Sequence, residues 1–489
     1  MKRNFIKPLV FAAIAGASMM MSCNRDSNDD NSKTELKSVE VSNAELKTAL
    51  QQKGFAFDGD GKLIVDDRVA NADTLNLSGC NLSDASGLEV FPKLTEVNLS
   101  NNKFPFVFDF SVLPATVNSV NLAGNEIYEY LGLVKVDVEE NGDETVTLLR
   151  DVKKLYLPES ARHNCDEIVY FYAAAKNVDL KMANAAGQLA QYTTLREVPD
   201  ENLRAYLKTN FPSMFDKDNP DLINIANRMI NATEASKSLL ANSQQVKAGI
   251  ENVEGSQYIA MNPSFKGVHV YFWSKTGCEL KYFRVKSGLY NLQFQNVNTA
   301  YINWTEAKNL FRVVVTGNNT IERIDFSVSE KFGQRGADID CKGLEIAYLD
   351  VYHCPKLKTI ALPRAAKYIS AFRLYNLPLL EEVDLSQFSG IGSLALGGLP
   401  GLKKLTYFTP DGWYSNVAVR DPVTGTFTTV PVLQFTVSND IYAHTETKAF
   451  LDTYHEHCNK YTLNTYLISY GLKIVSPYEE YDWTKDYGK

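Results

Sequence analysis

The sequence predicts an α/β solenoid: two tandem arrays of short strands, the second richer in strand, each opened by a helical cap. Three observations predict it. In the first half, apolar residues recur at long, even steps: Leu77 to Leu99 is 22 positions and Leu99 to Leu122 is 23. In the second half, the steps from Leu349 through Ile360, Phe372 and Val383 to Leu394 are 11, 12, 11 and 11. A helix-and-turn segment near the start also has a later counterpart, with Leu46 and Leu50 aligning with Leu203 and Leu207 at an offset of 157. A unit of 22 or 23 residues cannot bury its own apolar face, so neighbouring units must stack.

Residues 1–22 read as a targeting segment. Lys2, Arg3 and Lys7 are basic, Leu9 to Ala17 is apolar, and Met20-Met21-Ser22-Cys23 follows. The apolar run is too short to span a bilayer. The segment resembles a bacterial lipoprotein signal, which implies that Cys23 is acylated and becomes the first residue. Residues 23–40 form a tether. Asn24 to Ser32 has no apolar residue to bury, and Asp26, Asp29 and Asp30 stand close behind Cys23. This stretch resembles the acidic tether of surface-exported lipoproteins of Gram-negative bacteria. The resemblance implies a protein held to the outer membrane through a lipid anchor only, facing the exterior.

The mature chain is longer than one typical domain. Formal net charge is −8 over 489 residues, with the acids dispersed. No basic stripe is visible, which argues against a nucleic-acid partner. Beyond Cys23 the cysteines are Cys80, Cys165, Cys278, Cys341, Cys354 and Cys458, with no C-x-x-C pair to suggest a zinc ribbon. Their spacing selects no disulfide pairing.

Residues 41–195 hold the first cap and array. Ser42 to Gln52 reads as a helix, capped by Ser42 or Asn43, with Leu46, Ala49 and Leu50 on one face. Phe57-Asp58-Gly59-Asp60-Gly61 makes a turn. Strands follow at Leu75/Leu77, Val97/Leu99 and Val120/Leu122. The frame Leu94-x-x-Val97-x-Leu99-x-x-Asn102-x-Phe104 recurs as Val117-x-x-Val120-x-Leu122-x-x-Asn125-x-Ile127. This is the register of leucine-rich repeats, in which the Asn side chain turns inward to satisfy backbone groups. Cys80 and Cys354 fall at the same position and are expected to be buried thiols. A hairpin, Val134 to Leu149 around Asn141-Gly142, interrupts the array. The strands resume at Leu155/Leu157 and Val178/Leu180.

Residues 196–408 hold the second cap and array. Val198 to Leu207 resembles the helical cap of bacterial surface leucine-rich repeat proteins. Leu222 to Gly249, containing Ala and Ser, reads as helical. Inward pairs then fall at Val313/Val315, Ile324/Phe326, Leu349/Val351, Ile360/Leu362, Phe372/Leu374, Val383/Leu385 and Leu394/Leu396. Two short steps make one coil, so each coil carries two strand-like sides. The run from Cys354 to Pro363, C-P-K-L-K-T-I-A-L-P, is similar to BspA-like repeats of bacterial surface proteins. That family implies a fold and a contact surface rather than a chemistry. Residues 409–489 lose the repeat and are expected to close the open end. Within them Thr447 to Cys458 reads as a helix with Phe450, Leu451, Tyr454 and Cys458 on one face.

The concave face is the candidate binding site, because residues beside the inward pairs point outward. In the first array these are small and polar. In the second they include Tyr348, Asp350, Tyr352, Arg373, Tyr375, Glu382 and Asp384, richer in the aromatic and Arg side chains that anchor interfaces. Asp58, Asp60 and Asp67 give a weak calcium pattern, because the first loop position holds Ala56 where an Asp is wanted; a Gly-Asp turn explains the same residues. His455 and His457 stand two apart, so a helix would point them to opposite sides and no metal is expected. Gly390-x-Gly392-x-x-Ala395 matches a dinucleotide pattern but coincides with a repeat strand. No hydrolase, zinc-protease or P-loop motif is present, and neither an enzyme nor a cofactor is expected. The expected function is a cell-surface scaffold that binds a protein partner, host or bacterial. The alternative is a glycan-binding lipoprotein of an uptake system. Trp273, Trp304 and Trp413 discriminate: several on one exposed surface favour glycan, a buried set favours protein.

Overall fold

The computed structural model describes residues 37–138, 144–242, 246, 249–334, 347–463 and 479–488. Cys23, the segment 1–22, most of the tether, Cys341 and the Asn141-Gly142 turn lie outside the described residues. The fold is strand-rich α/β with a large parallel sheet. Among the described residues no helix is long and apolar enough to cross a membrane.

The first sheet has six strands. Thr74–Asn76, Glu96–Asn98, Ser119–Asn121, Lys154–Leu157 and Asp179–Ala183 lie side by side in chain order, all parallel. Leu75, Val97, Val120, Leu155 and Leu180 share one rung and are buried. The asparagines hold the turns between strands. Asn125 donates from Nδ2 to the carbonyls of Leu99 (3.0 Å) and Leu122 (2.8 Å) and accepts from the Asn102 N–H (3.0 Å). Asn102 repeats this one strand earlier, donating to the Leu77 (3.0 Å) and Leu99 (2.9 Å) carbonyls. Each side chain thereby pairs backbone groups that a tight inward turn would leave unsatisfied. At the equivalent position Cys80 is only half-buried, with Sγ 3.7 Å from the Ser78 carbonyl, whereas Cys354 is fully buried. Cys80 sits at the start of the sheet, where no earlier repeat covers it. Val134–Val138 and Glu144–Leu148 form the expected antiparallel hairpin.

The main sheet has ten strands. From Leu239–Ala241 through His269–Glu279, Asn291–Asn298, Arg312–Thr316, Tyr348–Tyr352, Tyr368–Tyr375 and Gly390–Gly397 to Phe427–Val437, every neighbour pair is parallel and in chain order. Leu292, Val313, Leu349, Phe372, Leu394 and Phe435 form one continuous buried rung. The intervening apolar pairs lie in separate two-stranded parallel pairs: Tyr282–Arg284 with Tyr301–Asn303, Arg323–Asp325 with Thr359–Ala361, and Glu382–Asp384 with Lys404–Thr406. The short period of the sequence is thus an alternation between the main sheet and these outer pairs. Gly390 and Gly392 suit this packing: a Cβ on Gly390 would meet the Tyr414 ring at 2.0 Å, and one on Gly392 the Ser370 carbonyl at 2.7 Å.

One local plan occurs twice. Ala44–Gln52 is a helix whose cap residue Asn43 accepts from the N–H groups of Glu45 and Leu46, and it buries Leu46, Ala49 and Leu50. Glu201–Asn210 is a helix capped by Asp200 and buries Leu203 and Leu207. An antiparallel strand pair accompanies each, Ser38–Val39 with Leu63–Ile64 and Leu195–Glu197 with Leu222–Asn224. In each following turn an Asp gathers N–H groups: Asp58 takes those of Asp60 and Lys62, and Asp216 takes those of Asp218 and Asn219.

Two expected helices differ. Among the described residues of Leu222 to Gly249 only Ala232–Ala235 is helical, and Leu239–Ala241 is the first strand of the main sheet. Pairing of Leu239 with Val270 overrides the weak helical preference of an Ala- and Ser-bearing stretch. The later helix is Thr445–Tyr454, and Cys458 begins a strand that pairs with Leu433. Cys458 is buried as expected, but through the sheet.

A buried ionic cluster joins the residues of the first sheet's side to those of the second. Arg284 donates to Asp166 (2.7 Å), Glu167 (2.9 Å) and the Tyr282 hydroxyl (3.1 Å), and lies 3.6 Å from Glu129. Glu129 also accepts from Tyr282 (2.8 Å) and Asn303 (2.6 Å). Lys286 and Arg228 each reach Asp166 at 3.2 Å. Burial alone would raise the Asp166 carboxyl, but Lys286, Arg284 and Arg228 outweigh it and hold it below the usual carboxylate range.

Candidate functional site

The structure corrects the expected binding face. Asp350, Tyr352, Arg373 and Tyr375 all sit on the predicted side of the main sheet, yet all four are buried. Asp350 pairs across the sheet with Arg373, at 3.5 Å between charged atoms, and Tyr352 stacks on Tyr375 with ring centroids 4.5 Å apart. Tyr461 and Leu463 pack over Tyr352, Tyr375 and Ala395. The Ser393 hydroxyl donates to the Tyr461 hydroxyl at 2.7 Å, and Thr436 donates to the Tyr461 carbonyl. Tyr348 is half-buried and its hydroxyl accepts from Arg373. Burial pushes the Asp350 carboxyl up to about 6, against the pull of Arg373 and Arg312. Glu382 and Asp384 are exposed, but they lie in an outer pair rather than the main sheet. Glu382 pairs with Lys404, and Asp384 accepts from the Ser386 N–H at 2.9 Å. The seven residues therefore do not make one open surface. The cover comes from a segment about 85 positions beyond Tyr375, which period-two alternation along a strand cannot reveal.

The other candidates resolve locally. Among the described residues no three His, Cys, Asp or Glu side chains gather to hold a metal. Asp58 spends one oxygen on the N–H groups of its own turn, which also lower its pKa, and Asp67 opens the helix Asp67–Asn71. His455 bonds the Leu451 carbonyl at 3.0 Å, and His457 stacks on Trp413 at 4.7 Å. Gly390 to Ala395 is strand throughout. The tryptophans do not share a surface: Trp304 is buried, while Trp273 and Trp413 are half-buried on separate elements.

A cleft of about 680 Å³ opens between the strands Tyr301–Asn303 and Arg323–Asp325. These strands belong to two different outer pairs and share no ladder. Ala300 to Thr305 line one wall and Thr320 to Asp325, Ile324 excepted, the other. Phe106 and Glu126 reach in from the first unit, and Lys356 closes the far side. Phe106 and Tyr301 form one aromatic patch, with centroids 5.0 Å apart and planes tilted by 32°. The Trp304 ring lies with its centroid 6.1 Å from that of Phe326, and its Nε1–H is buried with no acceptor. Three carboxylates stand around these rings. Glu126 accepts from the Tyr128 hydroxyl at 2.8 Å, Glu322 from Lys358 at 2.7 Å, and Asp325 from Arg323. The Lys358 contact lowers the Glu322 pKa; at Asp325 burial raises it but Arg323 and Ser327 prevail and lower it. Both therefore face the cleft as ionised acceptors near neutral pH.

Asn303 ties this cleft to the ionic cluster, since it lines the wall and its side-chain amide donates to Glu129. Sequence reasoning singled out Trp304 but not Phe106 or Tyr301, which stand 195 positions apart. No spacing rule links them; the only signal was the frequency of Tyr and Phe, 26 and 25. Compared with known proteins, the chain matches no family model and no curated sequence.

Proposed function

We propose that this chain is a leucine-rich repeat protein of two tandem solenoid arrays, the second BspA-like, anchored by an acylated Cys23 to the outer membrane and facing outward. It serves as a scaffold that binds a protein partner. Parallel strands paired in chain order, the asparagine-held turns and the alternation between main sheet and outer pairs support the solenoid reading. They suit a binding scaffold, since stacked repeats present an extended surface.

One observation carries the partner reading. The hairpin Ser415–Arg420 with Phe427–Val437 roots itself at the buried Val432 and Leu433, while its outer half holds Val419, Val423, Phe427 and Val430 in solvent. Val423 is 91% and Phe427 70% exposed. A projecting apolar hairpin whose Ser415–Arg420 strand is an edge of the main sheet offers both side chains and backbone to a partner's surface. The test is capture from host and bacterial extracts by the chain lacking its lipid anchor, beside the doubly substituted Val423→Ser, Phe427→Ser form. A specific protein retained by the first and lost by the second supports the reading. Retention by both moves the interface off the hairpin and refutes it.

A further inference from the structure

The cleft between the two outer pairs is independent of the hairpin, and its chemistry is different. An apolar floor of Phe106, Tyr301 and Trp304, extended by Ile302, Ile321 and Val328, carries acceptors and donors at its margin. The volume of about 680 Å³ falls in the range of small-ligand sites. A ligand must satisfy three demands at once. It needs a face with weakly positive C–H groups to lie on the electron-rich ring faces. It needs donors for the lone pairs that the Glu126, Glu322 and Asp325 carboxylates keep beyond their bonds to Tyr128, Lys358 and Arg323. It also needs acceptor atoms for Arg323, Lys356 and the orphaned Trp304 N–H, which only donate.

A lipid chain fails the second and third demands. A quaternary ammonium meets the first and is drawn by the carboxylates, but it carries no N–H to donate to them and no acceptor for Arg323, Lys356 or the Trp304 N–H. A polyanion fails against three carboxylates. A sugar meets all three, because each hydroxyl both donates and accepts and each ring carries an apolar C–H face. We propose that this cleft binds a neutral oligosaccharide, stacked on Tyr301 and Phe106, with its hydroxyls bonded to Glu126, Glu322 and Asp325 and one of its oxygens accepting from Trp304.

The experiment is calorimetry of the purified full chain. The probes are neutral gluco-, manno-, xylo- and N-acetylglucosamine-containing oligosaccharides, with choline, a uronic-acid oligosaccharide and a short unstructured peptide as comparisons. At least one neutral oligosaccharide binds at millimolar concentration or better, and Tyr301→Ala weakens it about tenfold or more. Tyr301 also packs on Tyr282 and Tyr128, so two further substitutions accompany it, the first of them outside the core. Glu322→Gln, at an exposed position, and Trp304→Phe, which keeps a smaller aromatic ring and removes the N–H, each weaken the same sugar several-fold. Binding of no neutral oligosaccharide overturns the proposal. So does preferential binding of choline, peptide or uronic acid, or binding unchanged in all three variants. The Val423→Ser, Phe427→Ser form retains sugar binding, so loss of the protein-partner reading and loss of this one are told apart.

Discussion

Arg284 is the most consequential single position outside either proposed surface. It is 8% exposed and faces the buried Glu129 and the half-buried Asp166 and Glu167. Arg284→Met keeps most of the apolar stem and removes the charge. Breaking a buried ion pair by deleting one partner costs about 3–5 kcal/mol, because the other charge stays desolvated. The lower end applies here. Asp166 keeps Lys286 and Arg228, and Glu129 keeps the Tyr282 hydroxyl and the Asn303 amide. Glu167 is left with the Asn164 amide at 2.7 Å. The expected loss is about 3 kcal/mol, or a fall of roughly 5 °C in Tm. Because Arg284 bridges the two halves, urea unfolding of the variant should also broaden or split where the native chain shows a steeper transition. Combining Arg284→Met with Glu167→Gln should cost less than the sum of the two. A loss under about 1 kcal/mol with no coupling would place the cluster among exposed ion pairs and refute the reasoning.

Three further outcomes follow from the geometry. Asp350 binds its proton more tightly in the folded chain (about 6) than at its ordinary value of 3.8, so the stability it contributes is full below about pH 4 and is lost as pH rises through about 6. A series of melting curves over that window should show this decline in the native chain and not in Asp350→Asn; parallel curves count against it. Asn125→Ala removes three hydrogen bonds to buried backbone groups and should cost about 3 kcal/mol in urea unfolding, with a loss under about 1 kcal/mol contradicting its role in the turns. Burial lifts the Cys165 and Cys354 thiols to about 12, so alkylation near pH 8 read by mass spectrometry should label half-buried Cys80 before these two, which react only on unfolding; early labelling of Cys354 would contradict its packing.

The strands were legible in the sequence because local chemistry decides them. Val313, Leu349, Phe372 and Leu394 are apolar at positions that share one rung, and Asn102 and Asn125 bond only backbone within their own and adjoining turns. The helix at Ala44–Gln52 announced itself through its cap and the Leu46/Leu50 spacing. What was illegible depends on contacts between distant segments. Alternation along Tyr348–Tyr352 says which side chains leave the core, not whether Tyr461 returns to cover them. Leu239–Ala241 is a strand because His269–Glu279 lies beside it, a pairing with no local signature. The cleft is a gap between two strand pairs, and a gap has no motif.

The order of strands in the main sheet also sets how the molecule yields to force. Each strand rests on the one made just before it, so little chain must be gathered for the next to dock, and growth from the ribosome and growth of the sheet run in the same direction. Load applied between the ends works the same sequence backwards. A strand at the end peels one ladder at a time, while a strand in the middle is shielded by both neighbours. At the far end, Cys458–Asn459 is laid against Leu433 and Gln434, and the Trp483 indole donates to the Phe435 carbonyl at 3.2 Å. That latch lies outside the strand Phe427–Val437, so a pull on the outer end of the chain meets this two-residue pairing before it reaches the longer ladders within the sheet.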